Sequence, residues 1–298
     1  MIPLLVRKRN TVLLIAVLFF TAALTGCSGY TQPEDDTGIA GAGTAQLPTP
    51  TVLLPSVTPT TLPRLSAGMS SRVEVLFFES SNYPKAITTR IYLPPGYDLG
   101  RKTPYPVLLI LHGKNSSGSQ WEDLGLLAAA DDLIGEGNIP PLVIVMPEEV
   151  YSTLPYTETA YADVLVDELL PFLYSQYNLC QERDCTAIGG LSRGAAWAAR
   201  LVFTRWEVFG TAGMHSMPAA FLPLTEWIEE IPPDSMPNLY MDIGLEDVGY
   251  KDAREFEALL TRLDIPHEWV VQPGVHAAEY WSAHVRDYLR WYGKTLSQ

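Results

Sequence analysis

The chain has 298 residues, 47% of them hydrophobic, and a formal net charge of −14 at pH 7. Because nucleic acids and anionic lipids attract cations, a chain this acidic is not expected to bind either of them by charge. The sequence contains no C-x-x-C pair and no histidine cluster at metal-ligand spacing, so we expect no metal site and no cofactor.

The first 27 residues have the pattern of an export signal. A basic segment at residues 7–9 precedes an apolar segment at 11–24, which is short for a membrane-spanning helix. Residues 24–27, Leu-Thr-Gly-Cys, resemble the lipobox of bacterial lipoproteins. That resemblance implies that Cys27 carries lipid and anchors the protein at the cell surface or the periplasmic face of a membrane. An ordinary signal peptide and an uncleaved anchor are the alternatives, and both also imply export.

A segment rich in Pro, Thr, Gly and Ala follows at residues 28–67. It has few large apolar residues and cannot bury enough surface to offset the entropy of ordering, so we expect a disordered tether. From residue 68 to residue 298 the composition is globular, and the length suits one domain with a large core.

Strand and helix patterns alternate through this globular part. Strands at 72–78 and 86–93 are predicted to form an antiparallel pair at one edge of a sheet. Apolar runs at 107–111 and 142–146 suit strands buried on both faces of a parallel sheet. Further strands are predicted at 186–188, 208–212, 239–243 and 267–272, and helices at 121–134, 160–177, 195–201, 251–263 and 280–292. This alternation predicts an α/β domain with a mostly parallel sheet, helices on both faces and a site beyond the carboxyl ends of the strands.

Residues 190–194, Gly-Leu-Ser-Arg-Gly, match the G-x-S-x-G nucleophile elbow of serine hydrolases. An elbow holds its serine in a strained backbone conformation between a strand and a helix, and the two glycines avoid collisions there. Ser192 would therefore stand exposed at a helix N-terminus, which favours developing negative charge. The alternative is a strand-to-helix turn that carries a serine without using it.

A serine hydroxyl needs a histidine to take its proton and a carboxylate to orient that histidine. Hydrolases of this kind carry the three groups in the chain order Ser, acid, His. His276 lies in a loop with Pro and Gly before the last predicted helix, so it is the favoured base. His215, just after the predicted strand at 208–212, is its rival.

The acid is expected after the predicted strand at 239–243. Glu246 and Asp247 lie in the turn after that strand, and Asp242 lies within the strand itself. A carboxylate in the turn can reach a histidine on a neighbouring loop, so we favour Asp247. Asp242 remains the alternative, and its other interpretation is a carboxylate that binds loop backbone.

An oxyanion hole needs two backbone N–H groups close to the nucleophile. One is expected from Arg193, and the other from the loop His-Gly-Lys-Asn at residues 112–115. Gly113 would let that loop approach the substrate carbonyl, and Lys114 would donate its N–H. The Arg193 guanidinium could meet a carboxylate or phosphate, or pair with a surface acid, and we favour the surface acid.

Several side chains near these motifs are candidate substrate contacts. His112 and His215 are two of them, and Trp121 could form an aromatic rim with Tyr151 and Trp281. The alternative for each of the aromatic residues is a place in the core of the fold.

Cys180 and Cys185 flank a polar turn at residues 181–184. In an oxidising compartment this spacing permits a local disulfide, with two free thiols as the alternative. A loop this small gives little loop-closure entropy, so such a bridge would stabilise the fold only modestly.

The ordered set of motifs resembles the esterase D-like group of α/β-hydrolases, which includes feruloyl, acetyl-xylan and enterochelin esterases. The resembling segments are 90–97, 109–113, 168–171, 188–194, 244–247 and 273–276. The resemblance implies an α/β-hydrolase fold with Ser192, Asp247 and His276 as the triad. Relatives often carry Met where this chain has Arg193, and glycines where it has residues 114–116.

These observations together predict an exported, lipid-anchored serine esterase. It would hydrolyse carboxylic esters through an acyl-enzyme, on acylated polysaccharide or a similar extracellular ester. One alternative is an acyltransferase that passes the acyl group to an acceptor alcohol. The other is a non-catalytic surface binding module that keeps the hydrolase fold.

Overall fold

The computed structural model describes residues 70–156, 159–219 and 222–296 of the chain. The predicted export signal, its lipidation residue Cys27 and the predicted tether at 28–67 lie outside these residues. None of the helices in the described ranges combines the length and the apolar character needed to cross a bilayer.

The strands of the described residues form one sheet. In chain order they are β1 Arg72–Phe78, β2 Ile87–Leu93, β3 Val107–Leu111, β4 Val143–Pro147, β5 Thr186–Leu191, β6 Thr211–His215, β7 Asn238–Gly244 and β8 Glu268–Gln272. The spatial order is β1-β2-β4-β3-β5-β6-β7-β8, in which β2 is antiparallel to both neighbours and all pairs from β4 onward are parallel. The predicted α/β architecture with an antiparallel edge pair is confirmed.

The helices lie on both faces of this sheet. They are α1 Gln120–Asp123, α2 Leu126–Gly135, α3 Tyr161–Val164, α4 Leu170–Gln176, α5 Arg193–Thr204, α6 Leu224–Glu229, α7 Tyr250–Arg262 and α8 Ala278–Thr295. Side chains of α3 to α7 enter one hydrophobic core, whereas those of α1, α2 and α8 enter the other.

Strand β3 shows why its sequence is an unbroken apolar run. Successive strand residues point to opposite faces, so Leu109 enters one core while Leu108 and Ile110 enter the other. All five residues of β3 are buried. A strand covered by helices on both faces therefore needs apolar side chains at every position, and the site can form only where such strands end.

Two predicted helices differ from the observed ones. The helix predicted at 121–134 is divided into α1 and α2 at Gly125, which has φ +88°. The segment predicted as one helix at 160–177 contains a π turn at Leu165–Leu169 between α3 and α4. Pro171 follows that turn and has no N–H for the ordinary helical ladder, which accounts for the local change of hydrogen bonding.

Strand β6 begins three residues later than predicted. Val208 and Phe209 form a turn after α5, in which both backbone N–H groups donate to the carbonyl of Arg205. The strand runs over Thr211–His215 instead. His215 therefore lies within a strand and is buried, whereas the sequence placed it on a loop beyond the strand end.

Candidate active site

Ser192 occupies the sharp turn between β5 and α5. Its backbone has φ +52° and ψ −118°, which is strained for a residue with a side chain. Its N–H donates to the carbonyl of His215 at 2.8 Å. A side chain on Gly190 would collide with the backbone of Gly194, and one on Gly194 would collide with the backbone of Leu111. The elbow therefore needs glycine at both positions.

The structure brings Ser192, His276 and Asp247 together. The Nε2 of His276 lies 2.9 Å from the Ser192 Oγ, and its Nδ1 lies 2.8 Å from Oδ2 of Asp247. Because an ionised carboxylate can only accept, Nδ1 carries the proton and Nε2 is free to receive the proton of Ser192. The His276 side chain is 28% exposed, so a substrate can approach it, while the Asp247 side chain is buried.

Two neighbouring loops hold the histidine and the carboxylate in place. Asp247 follows β7 and His276 follows β8, which is the neighbouring strand. The N–H of Glu246 donates to the carbonyl of Gly274 at 3.0 Å, and the N–H of Gly274 donates to Oε2 of Glu246 at 2.7 Å. Glu246, one of the three carboxylates considered for the triad, thus binds the histidine loop rather than the histidine.

The charge on Asp247 is supported by its hydrogen bonds. Burial is the largest single effect and by itself raises the pKa of this carboxyl. Hydrogen bonds from His276 and from the Gly249 N–H, together with the charge interaction with His276, act in the opposite direction and leave the pKa of Asp247 below its usual value. The carboxylate is therefore ionised at neutral pH and can stabilise an imidazolium.

Two backbone N–H groups next to Ser192 are available to a ligand. The N–H of Gly113 is not one of them, because it donates to Oε1 of Gln120 at 2.8 Å. The N–H groups of Lys114 and Arg193 make no hydrogen bond to another residue in the described ranges. A Cβ on Gly113 would lie 3.7 Å from the Cβ of Ser192, so this loop packs directly against the elbow.

The prediction that His112, Trp121 and His215 contact the substrate is wrong. His112, Trp121 and His215 are all buried, so they do not line the surface around Ser192. His112 hydrogen-bonds backbone on both sides of its ring. Trp121 donates its Nε1–H to the carbonyl of Leu111 at 3.0 Å, which fixes it beneath the end of β3.

The two rivals for the triad form a pair of their own. The Nδ1 of His215 lies 2.6 Å from Oδ1 of Asp242, and both side chains are buried. The hydroxyls of Tyr280 and Tyr288 donate to Oδ2 of Asp242 at 2.9 and 2.8 Å. These contacts satisfy the Asp242 carboxylate, so His215 and Asp242 form a separate buried polar cluster.

The candidate aromatic rim does not form, and Trp121 and Trp281 take the alternative place in the core. Trp281 is buried, donates its Nε1–H to Ser216 Oγ at 3.0 Å and sets its ring edge-on to His276, with centroids 5.0 Å apart. Tyr151 packs edge-on against Tyr83, with centroids 5.5 Å apart. The hydrogen bond to Ser216 fixes the orientation of the Trp281 ring. The ring then packs against His276 from the inner side.

Apolar side chains are exposed on the two loops that carry Asp247 and His276. Among the described residues, three of the six most exposed large hydrophobic side chains lie on the loops that carry Asp247 and His276. They are Leu245, Val248 and Val275, and Val248 is 92% exposed. Exposed apolar groups on these loops are available to the apolar part of a ligand.

The Arg193 guanidinium and the two cysteines each have a defined partner. Arg193 does not pair with a surface acid: its guanidinium binds Glu149, which is buried. Cys180 and Cys185 form a disulfide just before β5, at the end of that strand remote from Ser192.

Sequence reasoning missed Gln120 and Glu149. Gln120 binds the Gly113 N–H, and Glu149 binds both Arg193 and His112. Glu149 stands beside a second glutamate, Glu148, and nothing in the sequence separates the two. The one signal in the sequence is that both glutamates directly follow a buried strand, where residues near a site are expected.

Comparison with known proteins places these features in context. A model of the family described as "Putative esterase" matches residues 80–292. An endo-1,4-beta-xylanase/feruloyl esterase of Xylanibacter ruminicola is 29% identical over 154 residues, which are 48% of this chain and 21% of that protein. The chain thus spans about a fifth of the length of this relative.

Two solved structures share the fold. A ferulic acid esterase superposes with a TM-score of 0.67 at 20% identity, covering 76% of this chain and 100% of that one. A ferulic acid esterase from Anaeromyces mucronatus, in complex with ferulic acid, superposes with a TM-score of 0.64 at 21% identity, covering 80% and 97%. These likenesses confirm the α/β-hydrolase fold.

Proposed function

This chain belongs to the putative esterase family, and on that premise we propose that it is a serine carboxylic-ester hydrolase, exported and anchored by lipid on Cys27. The observation that carries the catalytic part is the continuous contact from Ser192 through His276 to Asp247, at 2.9 and 2.8 Å. The predicted signal and lipobox at residues 1–27 support the export and the anchor.

The reaction follows from this arrangement. Ser192 Oγ attacks the ester carbonyl while His276 Nε2 takes the hydroxyl proton, and Asp247 stabilises the imidazolium. The N–H groups of Lys114 and Arg193 hold the oxyanion. When the tetrahedral intermediate collapses, the bond to the alcohol oxygen breaks and His276 protonates that oxygen. Water then attacks the acyl-enzyme by the same steps, releasing the acid and restoring Ser192.

The substrate we propose is an acylated polysaccharide or a similar extracellular ester. Export would place the enzyme where such polymers are found. The relatives named as feruloyl and ferulic acid esterases make a feruloyl ester the first acyl group to test. The exposed apolar side chains of Leu245, Val248 and Val275 suit an acyl or alcohol group with apolar surface.

The test compares the full chain with Ser192→Ala on nitrophenyl acetate, methyl ferulate and feruloylated xylan. Ser175→Ala is the matched control, because Ser175 is an exposed serine on α4. We expect turnover in the wild type and in Ser175→Ala, and a fall of about 10⁶-fold in kcat for Ser192→Ala. Equal rates in Ser192→Ala and the wild type would exclude Ser192 as the nucleophile. Transfer of the acyl group to an added alcohol in preference to water would favour the acyltransferase instead.

The anchor is tested separately. Cells that express the full chain are fractionated and compared with cells that express Cys27→Ala. We expect the wild type in the membrane fraction with an incorporated lipid label, and the variant without the label. A labelled Cys27→Ala variant would exclude this cysteine as the lipidated residue.

A further inference from the structure

Three buried side chains beside the active site take no part in the triad. They are Arg193, Glu149 and His112, with exposed fractions of 8%, 3% and 2%. Ionisable groups are seldom buried unless each finds a partner. These three side chains find their partners in one another and in the backbone of the Gly113–Lys114 loop.

The first part of the connection is an ion pair. The Nε of Arg193 donates to Oε2 of Glu149 at 2.7 Å, and its Nη2 donates to Oε1 at 2.5 Å. The same Nη2 donates to the carbonyl of Leu154 at 2.8 Å, and the guanidinium lies over the ring of Tyr156, 4.4 Å from its centroid. A bidentate pair of this kind fixes direction as well as distance.

The second part runs through the histidine. The backbone N–H of Glu149 donates to His112 Nε2 at 2.7 Å, so that nitrogen carries no proton. The other ring nitrogen, Nδ1, then carries the proton and donates to the carbonyl of Gly113 at 2.7 Å. Burial is the largest effect on this ring and lowers the pKa of His112, which keeps it in the neutral form that both hydrogen bonds require.

The Gly113 carbonyl belongs to the same peptide unit as the Lys114 N–H. A peptide unit is planar and trans, so its C=O and N–H point in opposite directions. By holding the carbonyl, His112 fixes the direction of the Lys114 N–H. The other donor is the backbone N–H of Arg193. The side chain of the same residue binds Glu149, so Glu149 and His112 link Arg193 to the Gly113–Lys114 peptide.

We propose that Glu149 and His112 are positioning residues that join the two donors of the oxyanion hole into one rigid unit. The proposal rests on the esterase function proposed above, because it assigns a purpose to the oxyanion donors of that reaction. Neither residue touches the substrate. Their effect is to keep the N–H groups of Arg193 and Lys114 aimed at a common point, which an oxyanion hole must do before the charge develops.

The experiment uses the full chain with Glu149→Gln and with Glu148→Gln as the matched control on the neighbouring residue. The amide in Glu149→Gln would keep one acceptor for Arg193 but lose the charge and one of the two hydrogen bonds. We expect kcat on nitrophenyl acetate to fall about tenfold in Glu149→Gln and about 100-fold in His112→Ala, with KM changed by less than about twofold. Glu148→Gln should keep the wild-type kcat.

A second readout separates positioning from general damage. An alkylboronic acid becomes tetrahedral on Ser192 and places an oxygen in the oxyanion hole, so its Ki should rise about tenfold in Glu149→Gln. The Ki of the carboxylic acid product, a ground-state ligand, should stay unchanged. Equal kcat in the two glutamate variants, or a loss confined to KM, would overturn the proposal while leaving Ser192-dependent turnover, and hence the esterase function, in place.

A third readout does not depend on turnover. Amide hydrogen exchange at Gly113, whose N–H donates to Gln120, should be about tenfold faster in His112→Ala than in Glu148→Gln, because the loop has lost the hydrogen bond from His112 to the Gly113 carbonyl. Equal exchange in the two variants would overturn the proposal even if the wild-type chain hydrolysed none of the esters tested.

Discussion

The described residues contain two histidine–aspartate pairs, one on the loops after β7 and β8 and one within β6 and β7, and only the first contacts the Ser192 hydroxyl. In the first, His276 Nδ1 lies 2.8 Å from Asp247; in the second, His215 Nδ1 lies 2.6 Å from Asp242. The histidine of the first pair is 28% exposed on a loop, whereas the histidine of the second is completely buried within β6. Similar local contacts therefore occur in two different environments.

The difference lies in what faces the second ring nitrogen. The Nε2 of His276 faces the Ser192 hydroxyl at 2.9 Å, and the Nε2 of His215 lies 3.2 Å from the hydroxyl of Tyr292. Burial is the largest effect on that tyrosine and raises its pKa well above the usual value, so it keeps its proton. A histidine–aspartate pair is thus suited to catalysis only at a strand end, where it meets a reactive hydroxyl and solvent.

The largest expected effect is a loss of activity when the carboxylate of the His276–Asp247 pair is removed. Asp247→Asn should lower kcat about 10⁴-fold, because the amide cannot hold His276 in the tautomer that accepts the serine proton. Steady-state kinetics on nitrophenyl acetate measures the loss, and circular dichroism checks that the variant is folded. A kcat within about tenfold of the wild type would remove Asp247 from the triad.

Removing the carboxylate of the His215–Asp242 pair is expected to lower stability instead of activity. Asp242→Ala should lower the free energy of unfolding by about 3–5 kcal/mol, because His215, Tyr280 and Tyr288 lose a shared acceptor in a buried site. Urea unfolding measures this, with the exposed Asp287→Ala expected within about 0.5 kcal/mol of the wild type. The kcat of folded Asp242→Ala should fall far less than that of Asp247→Asn. A fall of equal size would mean that the two pairs do not act separately.

A smaller change tests how the buried pair is held. Tyr288→Phe should cost about 1–2 kcal/mol of unfolding free energy, since one of two hydroxyl donors to Asp242 is lost. The ring that stacks on His215, 3.7 Å between centroids, is retained. Tyr250→Phe is the control, because Tyr250 is the first residue of α7 and takes no part in the hydrogen bonds of the Asp242 cluster. A cost as large as that of Asp242→Ala would contradict a network shared among several donors.

The smallest expected effect is a dependence of stability on pH in the Asp247–His276 pair. The pKa of Asp247 is lowered in the folded protein, so its charge contributes stability above the ordinary carboxyl pKa of about 3.9. That contribution is lost as the pH falls through the folded-state pKa. The difference in unfolding free energy between the wild type and Asp247→Asn should therefore shrink as the pH falls below about 4. A difference that stays constant as the pH falls below about 4 would contradict a lowered pKa for Asp247.

Much of the fold was predictable from local patterns. β1 and β3 have the predicted bounds because their side chains alternate, or are uniformly apolar, over the length of each strand. β6 was misplaced because Val208 and Phe209 are good strand residues that tertiary contacts place in a turn. Gly125 indicated a break between α1 and α2. The helical spacing of the apolar residues on either side of it led to the prediction of one continuous helix.

The candidate site was predictable in its reactive groups and not in its surroundings. Ser192, Asp247 and His276 were named from the elbow motif and the chain order, and the structure brings them together. The contacts of Arg193 and His112 could not be predicted, because both meet at Glu149 and no local pattern distinguishes that residue from Glu148.

The sequence by itself determined the elements, their order along the chain and the chemistry of the elbow, because turn glycines and side-chain periodicity act over a few residues. Only the tertiary structure decided which histidine faces Ser192. His215 and Asp242 stand opposite each other in the register between β6 and β7, so they pair within the sheet. Asp247 and His276 lie beyond the ends of β7 and β8, where Ser192 also emerges. Strand register and strand length set that distinction, and both depend on contacts between residues far apart in the chain.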